Sequence, residues 1–294
     1  MSSHIRLCNP RLAVEINPPG VGYQGPRFDW SGFITQVTLD GAHTFCVPES
    51  LQSGKGSGGI GLCNEFGIDQ AIGYDEAGPG ELFPKLGIGL LSRPDQRPYD
   101  FFFPYEIARP FPVVMEIGVD WARFTVEPLE CCGYAARLVK TVSLQASSLE
   151  IAYRLENVGR KPLQTNEYVH NFNGIDRQVI RPEYRLRFPY RVEIENGSAR
   201  GLDVVNYQGE EVCFTGTPSQ PFYFRTLGFS LSVRPQWELT LQSSGVGLCE
   251  IDDFPPVRVG VWGMAHVIST EVFVEVNVRP GETQQWKRQY KFRA

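Results

Sequence analysis

The 294-residue chain is 42% hydrophobic and 21% charged, with a formal net charge of −5, an ordinary globular balance. The acidic sign and scattered Arg and Lys exclude the basic patch that nucleic-acid binding requires, and no apolar run is long enough to predict a membrane span. Seven cysteines, odd in number and without C-x-x-C spacing, argue against a structural zinc site and for buried free thiols in a reducing compartment. The N-terminal "MSSHIRLCNPRLAVEI" carries no apolar signal-type core, so the expected location is the cytoplasm.

Helical spacing at i, i+3, i+4 and i+7 is scarce, whereas period-2 alternation recurs along the chain. The first candidate segment is "GPRFDWSGFITQVTLDG" (25–41), in which a strand at 33–40 ends in an Asp-Gly turn. Arg27 is placed either to hold a ligand hydroxyl or carboxylate, or to pair with Asp29 at a corner. Trp30 either stacks on a ligand or packs in the core.

Residues 48–110 are rich in Gly, Pro and aromatics, and are longer than an ordinary connection. This segment is expected to be irregular and to wrap the mouth of a cleft. Within it, "GIGLCNEFGI" (59–68) and "ELFPKLGIGLL" (81–91) bring Asn64, Glu65 and Lys85 beside glycines that let backbone approach a ligand, or simply serve tight turns. Neither segment has the Lys-Ser or Lys-Thr of a phosphate-binding loop.

Further strands are expected at 122–130, 136–145 and 149–159. In "TNEYVHNFNGID" (165–176), Tyr168, His170 and Phe172 share one face while Glu167, Val169 and Asn171 share the other. A Tyr-His-Phe face suits either a sugar site or a histidine packed under aromatics. Strands at 190–197 and 238–242 follow, and "WKRQYKFR" (286–293) reads as an exposed strand end. In "EVFVEVNVRPGE" (271–282) four valines alternate with Glu271, Phe273, Glu275 and Asn277. Glu271 or Glu275 is a candidate base if that face lines a cleft, and both are solvated if it does not. The four histidines lack metal-ligand spacing, and no G-x-S-x-G elbow is present, so neither a metal nor any other cofactor is expected. Many strands and frequent turns predict an all-β chain: a large antiparallel β-sandwich, in one domain spanning 1–294.

The order of these pieces resembles the galactose mutarotase-like superfamily, with its aldose 1-epimerases and hexose-phosphate 1-epimerases. The likeness rests on "GPRFDWSGFITQVTLDG", "GLCNEFG", "FPKLGIGLL", "YRLENVGRKPLQTNEYVHNFN" and "RVGVWGMAHVISTEVFVEVNVRPGE". It implies a sandwich whose concave face binds a monosaccharide or sugar phosphate without a cofactor. It further implies a His that protonates the ring oxygen and a Glu that deprotonates the anomeric hydroxyl, carried here by His170 and Glu271. Arg27, Asn64, Glu65 and Lys85 would hold the sugar, with Trp30 or Tyr168 stacking on it. Lys85 stands where relatives have a second His. Matching the "TN" of the family motif places Glu167 at the histidine's position, whereas matching H-x-F-N places His170 there. Alternative readings are a non-catalytic carbohydrate-binding protein, or another sugar isomerase or lyase on the same fold.

Overall fold

Period-2 patterning becomes two large antiparallel sheets in the computed structural model, which describes residues 4–230 and 236–294. The first three residues of the N-terminal stretch read above, and residues 231–235, lie outside it. Among the described residues there is no α-helix.

The first sheet runs β1 (Ile5–Cys8), β2 (Leu12–Asn17), β3 (Phe33–Leu39), β5 (Gly61–Phe66), β13 (Leu163–Phe172), β22 (Val267–Val278), β21 (Arg258–Met264), β18 (Phe222–Leu227) and β15 (Glu193–Ile194). The short β4 (His43–Thr44) pairs with β3. The turn between them has positive φ at both Asp40 and Gly41, the conformation that an Asp-Gly pair favours in a tight hairpin.

The second sheet runs β16 (Val205–Gln208), β17 (Glu211–Phe214), β14 (Tyr184–Arg187), β19 (Gln236–Leu241), β20 (Gly247–Asp252), β23 (Thr283–Arg293), β12 (Ser148–Asn157), β11 (Ala136–Gln145), β10 (Trp121–Val126) and β9 (Val113–Ile117). A small third sheet holds β6 (Leu82–Lys85), β7 (Gly89–Ser92) and β8 (Ile107–Pro110).

One apolar cluster fills the space between the two large sheets. Val14, Leu62, Val169 and Val274 contribute from the first, and Leu138, Ile151, Leu239 and Trp286 from the second. Burying such side chains stabilises the fold by roughly 1.5–3 kcal/mol each. The third sheet has its own aromatic cluster, including Tyr74, Phe83 and Tyr105.

Three expectations change. Residues 48–110 are less irregular than their composition suggests, since they carry β5 to β8. The strand expected at 190–197 shrinks to Glu193–Ile194. The stretch 286–293 is not an exposed strand end: β23 is central in the second sheet, with Trp286, Arg288, Tyr290 and Phe292 all buried. Its exposed Lys and Arg alternate with those four side chains, so charge density concealed a core strand.

Candidate functional site

The site is built where β13 meets β22. Glu167 pairs with Val274, and Asn173 bridges Ile268, so in antiparallel register His170 falls opposite Glu271 and Tyr168 opposite Phe273. Between those two points the backbone ladder is interrupted. Side chains take over its bonds there: the Asn171 backbone N–H donates to Ser269 Oγ at 2.9 Å, and Asn171 Nδ2 donates to the Thr270 carbonyl at 2.6 Å. Interrupting the ladder without such substitutes would leave buried backbone groups unpaired.

Alternation then sends successive side chains to opposite places. Glu167 and Asn171 point between the sheets, where Glu167 meets Arg288 at 2.7 Å and Asn171 meets Glu250 at 3.0 Å. Tyr168, His170 and Phe172 point to the outer face. Glu167 and His170 are three residues apart, so only one of them can face the cleft, and it is His170.

A cavity of about 510 Å³ opens on that face, lined by Tyr168, His170, Glu271 and Phe273 among others. His170 Nε2 lies 3.3 Å from Glu271 Oε1, and both side chains are nearly inaccessible. The imidazole stacks on Phe172 with centroids 4.0 Å apart and meets the edge of Trp262. Among the described residues His170 Nδ1 is buried without a partner, so Nε2 is the nitrogen that faces Glu271. Burial, helped by the Arg27 charge, holds His170 well below its ordinary pKa, so the ring is neutral at neutral pH. Burial pushes the Glu271 carboxyl up to about 7, against the opposing pull of Arg27 and Arg258.

Arg27 enters from the segment before β3 and is locked in place. Its Nε donates to Glu65 Oε2 at 2.8 Å, Nη2 to the Tyr168 hydroxyl at 3.1 Å, and Nη1 to Ser57 Oγ at 3.0 Å. The Tyr168 hydroxyl donates to the same Glu65 oxygen at 2.7 Å. Burial lowers the Arg27 pKa, but the Glu65 charge and these bonds outweigh it and raise it, so the guanidinium stays charged. Phe101 and Phe102 lie against that guanidinium and line the cavity, and Phe102 is exposed. These two rings place part of the 48–110 segment over the cleft.

The remaining sequence candidates lie around this centre rather than in it. Lys85 is fully buried behind Glu65, at 3.7 Å, and donates to the Tyr99 hydroxyl at 2.8 Å. Burial brings its pKa down to about 8. Asn64 turns away from the cleft, bonding Glu167 at 2.6 Å and accepting from Lys140 at 2.5 Å between the sheets. Trp30 is half-buried, gives its indole N–H to the Gly25 carbonyl, and does not line the cavity. Glu275 is exposed. Sequence reasoning missed Asp69, Tyr223, Arg258 and Trp262, all of which line the cavity. Arg258 is held in two hydrogen bonds by Asp69, at 3.1 and 3.0 Å, and lies 3.7 Å from the Phe273 ring centre. The available signal was the alternation Arg258, Gly260, Trp262 in a strand adjacent to Glu271. Among the described residues, no group of three His, Cys, Asp or Glu side chains converges as a metal site would.

With this geometry in view, comparison with known proteins identifies the architecture. No family model matches the chain, and no curated protein matches it. Solved structures do. A galactose mutarotase related enzyme from Lactobacillus acidophilus superposes with a TM-score of 0.62 at 11% identity, covering 99% of this chain and 97% of that one. A galactose mutarotase-like protein from Lactobacillus casei gives 0.62 at 12% identity, over 99% and 100% of the two chains. An aldose epimerase homologue from Caenorhabditis elegans gives 0.58 at 11% identity, over 100% and 99%. The fold is therefore galactose mutarotase-like, as the order of sequence segments led one to expect.

Proposed function

We propose that the protein is an aldose 1-epimerase-type enzyme that interconverts the anomers of a sugar or sugar phosphate by opening and reclosing its ring. The observation that carries this reading is the 3.3 Å approach of His170 Nε2 to Glu271 Oε1 at the wall of an aromatic-lined cavity. In a cyclic hemiacetal the ring oxygen and the anomeric hydroxyl share one carbon, so the groups that serve them must be neighbours.

Glu271, ionised, takes the anomeric hydroxyl proton as the bond from C1 to the ring oxygen breaks, and the neutral imidazole N–H of His170 delivers a proton to that oxygen. A neutral imidazole suits an oxygen that becomes strongly basic, as in other enzymes that use an uncharged histidine as electrophile. Rotation about C1–C2 and the reverse transfers close the other anomer, so the pair is restored without a cofactor. Trp262, Phe273 and the Phe101–Phe102 edge offer apolar surface to the sugar ring, while Arg27 and Arg258 offer fixed donors.

The test is NMR saturation transfer between anomers over a panel of aldoses and aldose 6-phosphates. Wild type is expected to accelerate exchange for at least one sugar, and His170→Asn to lose about 10²–10⁴-fold of that acceleration. A wild type that leaves every sugar at the buffer rate refutes the reading.

A further inference from the structure

The two oxygens of Glu271 have different surroundings. Oε1 faces His170 Nε2, at 3.3 Å, and Ser269 Oγ, at 3.5 Å. Oε2 faces Gly260, the residue paired with Glu271 across β21 and β22. A β-carbon at position 260 would lie 3.3 Å from Glu271 Oε2 and 3.2 Å from the Tyr223 hydroxyl. These two oxygens therefore converge over a single side-chain-free point of the sheet. Gly260 has no positive φ and sits in an ordinary strand, so the backbone does not demand glycine there.

Tyr223 reaches this point from β18, where it is paired with Trp262. It lines the same cavity as His170 and Glu271. The structure gives its hydroxyl no hydrogen-bond partner among the described residues, although every other tyrosine hydroxyl around the site has one: Tyr168 bonds Glu65 and Tyr99 bonds Lys85. Burial and the nearby Glu271 charge raise its pKa to about 12, so it remains a donor across the working range. A half-buried donor with no internal partner, beside the oxygen of the base that faces away from histidine, is placed to meet a ligand atom.

Building on the epimerase reading, we infer that Tyr223 is a further catalytic residue: its hydroxyl donates to the anomeric oxygen that Glu271 Oε2 deprotonates, and Gly260 leaves the space in which that oxygen sits. No proton leaves Tyr223. As the ring opens, the anomeric proton passes to Glu271, the carbon–ring-oxygen bond breaks, and the anomeric oxygen becomes the aldehyde oxygen. The phenol hydrogen bond stabilises the negative charge that builds on this oxygen in both directions, and polarises the aldehyde when the ring oxygen returns to attack it.

The experiment is saturation-transfer kinetics on D-glucose, D-galactose and their 6-phosphates with wild type, Tyr223→Phe and Gly260→Ala, alongside thermal melting of each. Tyr223→Phe removes a hydroxyl that has no hydrogen-bond partner among the described residues. It is therefore expected to keep the wild-type melting temperature and a KM within about twofold, while kcat falls roughly 10²–10³-fold, the usual effect of deleting one such donor. Gly260→Ala is expected to lower kcat/KM about a hundredfold by displacing the reacting oxygen. An active wild type with Tyr223→Phe at full kcat, or with Gly260→Ala unimpaired, overturns this inference while leaving the epimerase reading intact. A wild type inactive on these four and on every other aldose and aldose 6-phosphate of the panel overturns both.

Discussion

Glu271 shows how one buried side chain links stability to chemistry. Its pKa rises from an ordinary 4.5 to about 7 on folding, through burial. Between these values the unfolded chain gives up the proton while the folded chain keeps it, so stability falls as pH rises through this window and stays reduced above it. The difference corresponds to about 3 kcal/mol. Glu271→Gln is therefore expected to be more stable than wild type by about that amount at pH 8, with the gap closing towards pH 4.5 in urea titrations. Equal stability at pH 8 would show that the carboxyl is not held up by burial. On the proposed epimerase reading, the same shift sets the rate profile: kcat/KM should climb with pH through an apparent pKa near 7, because the base must be ionised, and Glu271→Gln should abolish that limb.

At the scale of elements, β13 carries two different polar systems on opposite faces of the first sheet, and the inner one is shared with β23 of the second sheet. The outer face of β13 presents His170, while its inner face sends Glu167 to Arg288 of β23, which also holds Glu250 at 3.1 Å and Asp252 at 3.6 Å. Burial and the neighbouring Glu250 raise the Asp252 carboxyl well above its usual range. Arg288 is the cation that makes this cluster tolerable. Arg288→Met is expected to cost at least 3–5 kcal/mol, because it strands buried carboxylates rather than merely deleting an ion pair. Chemical denaturation of the variant near neutral pH measures this, and a loss below about 1 kcal/mol would mean the carboxylates simply take up protons.

This inner network also explains which candidates were legible. Period-2 alternation correctly assigned Tyr168, His170 and Phe172 to one face of their strand, and Glu271 and Phe273 to one face of theirs. The register of β13 against β22 could not be read from either strand alone, yet it is what sets His170 opposite Glu271. Asn64 and Glu65 are adjacent in sequence and equally polar. Only the direction of β5's pleat sends Asn64 between the sheets and Glu65 beneath the cleft. Arg258 and Trp262 went unnoticed because an apolar strand with alternating Arg, Gly and Trp looks like any core strand until Glu271 is known to lie beside it.

For the whole molecule, the first and second sheets share one apolar cluster, to which strands from both ends of the chain contribute. Neither sheet has an inner face that it can bury by itself. We therefore expect the chain to behave as one domain and to unfold in one cooperative step, with tryptophan fluorescence and far-UV circular dichroism giving coincident denaturation curves. Two separated transitions would refute the single-domain reading.

The sequence by itself determined the architecture class, because side-chain periodicity is local and a hydrophobic alternation repeated across the chain leaves a two-layer sandwich as the way to bury it. It also nominated His170 and Glu271, since chemistry-bearing residues are conspicuous when they interrupt such patterns. Only the tertiary structure decided that these two meet, that Glu167 and Asn64 serve the interior, that Lys85 lies behind the site, and that Tyr223 and Gly260 face the free oxygen of Glu271. Those outcomes depend on strand order and register across separations of up to 121 residues, set by packing of the whole core rather than by any segment's own preference.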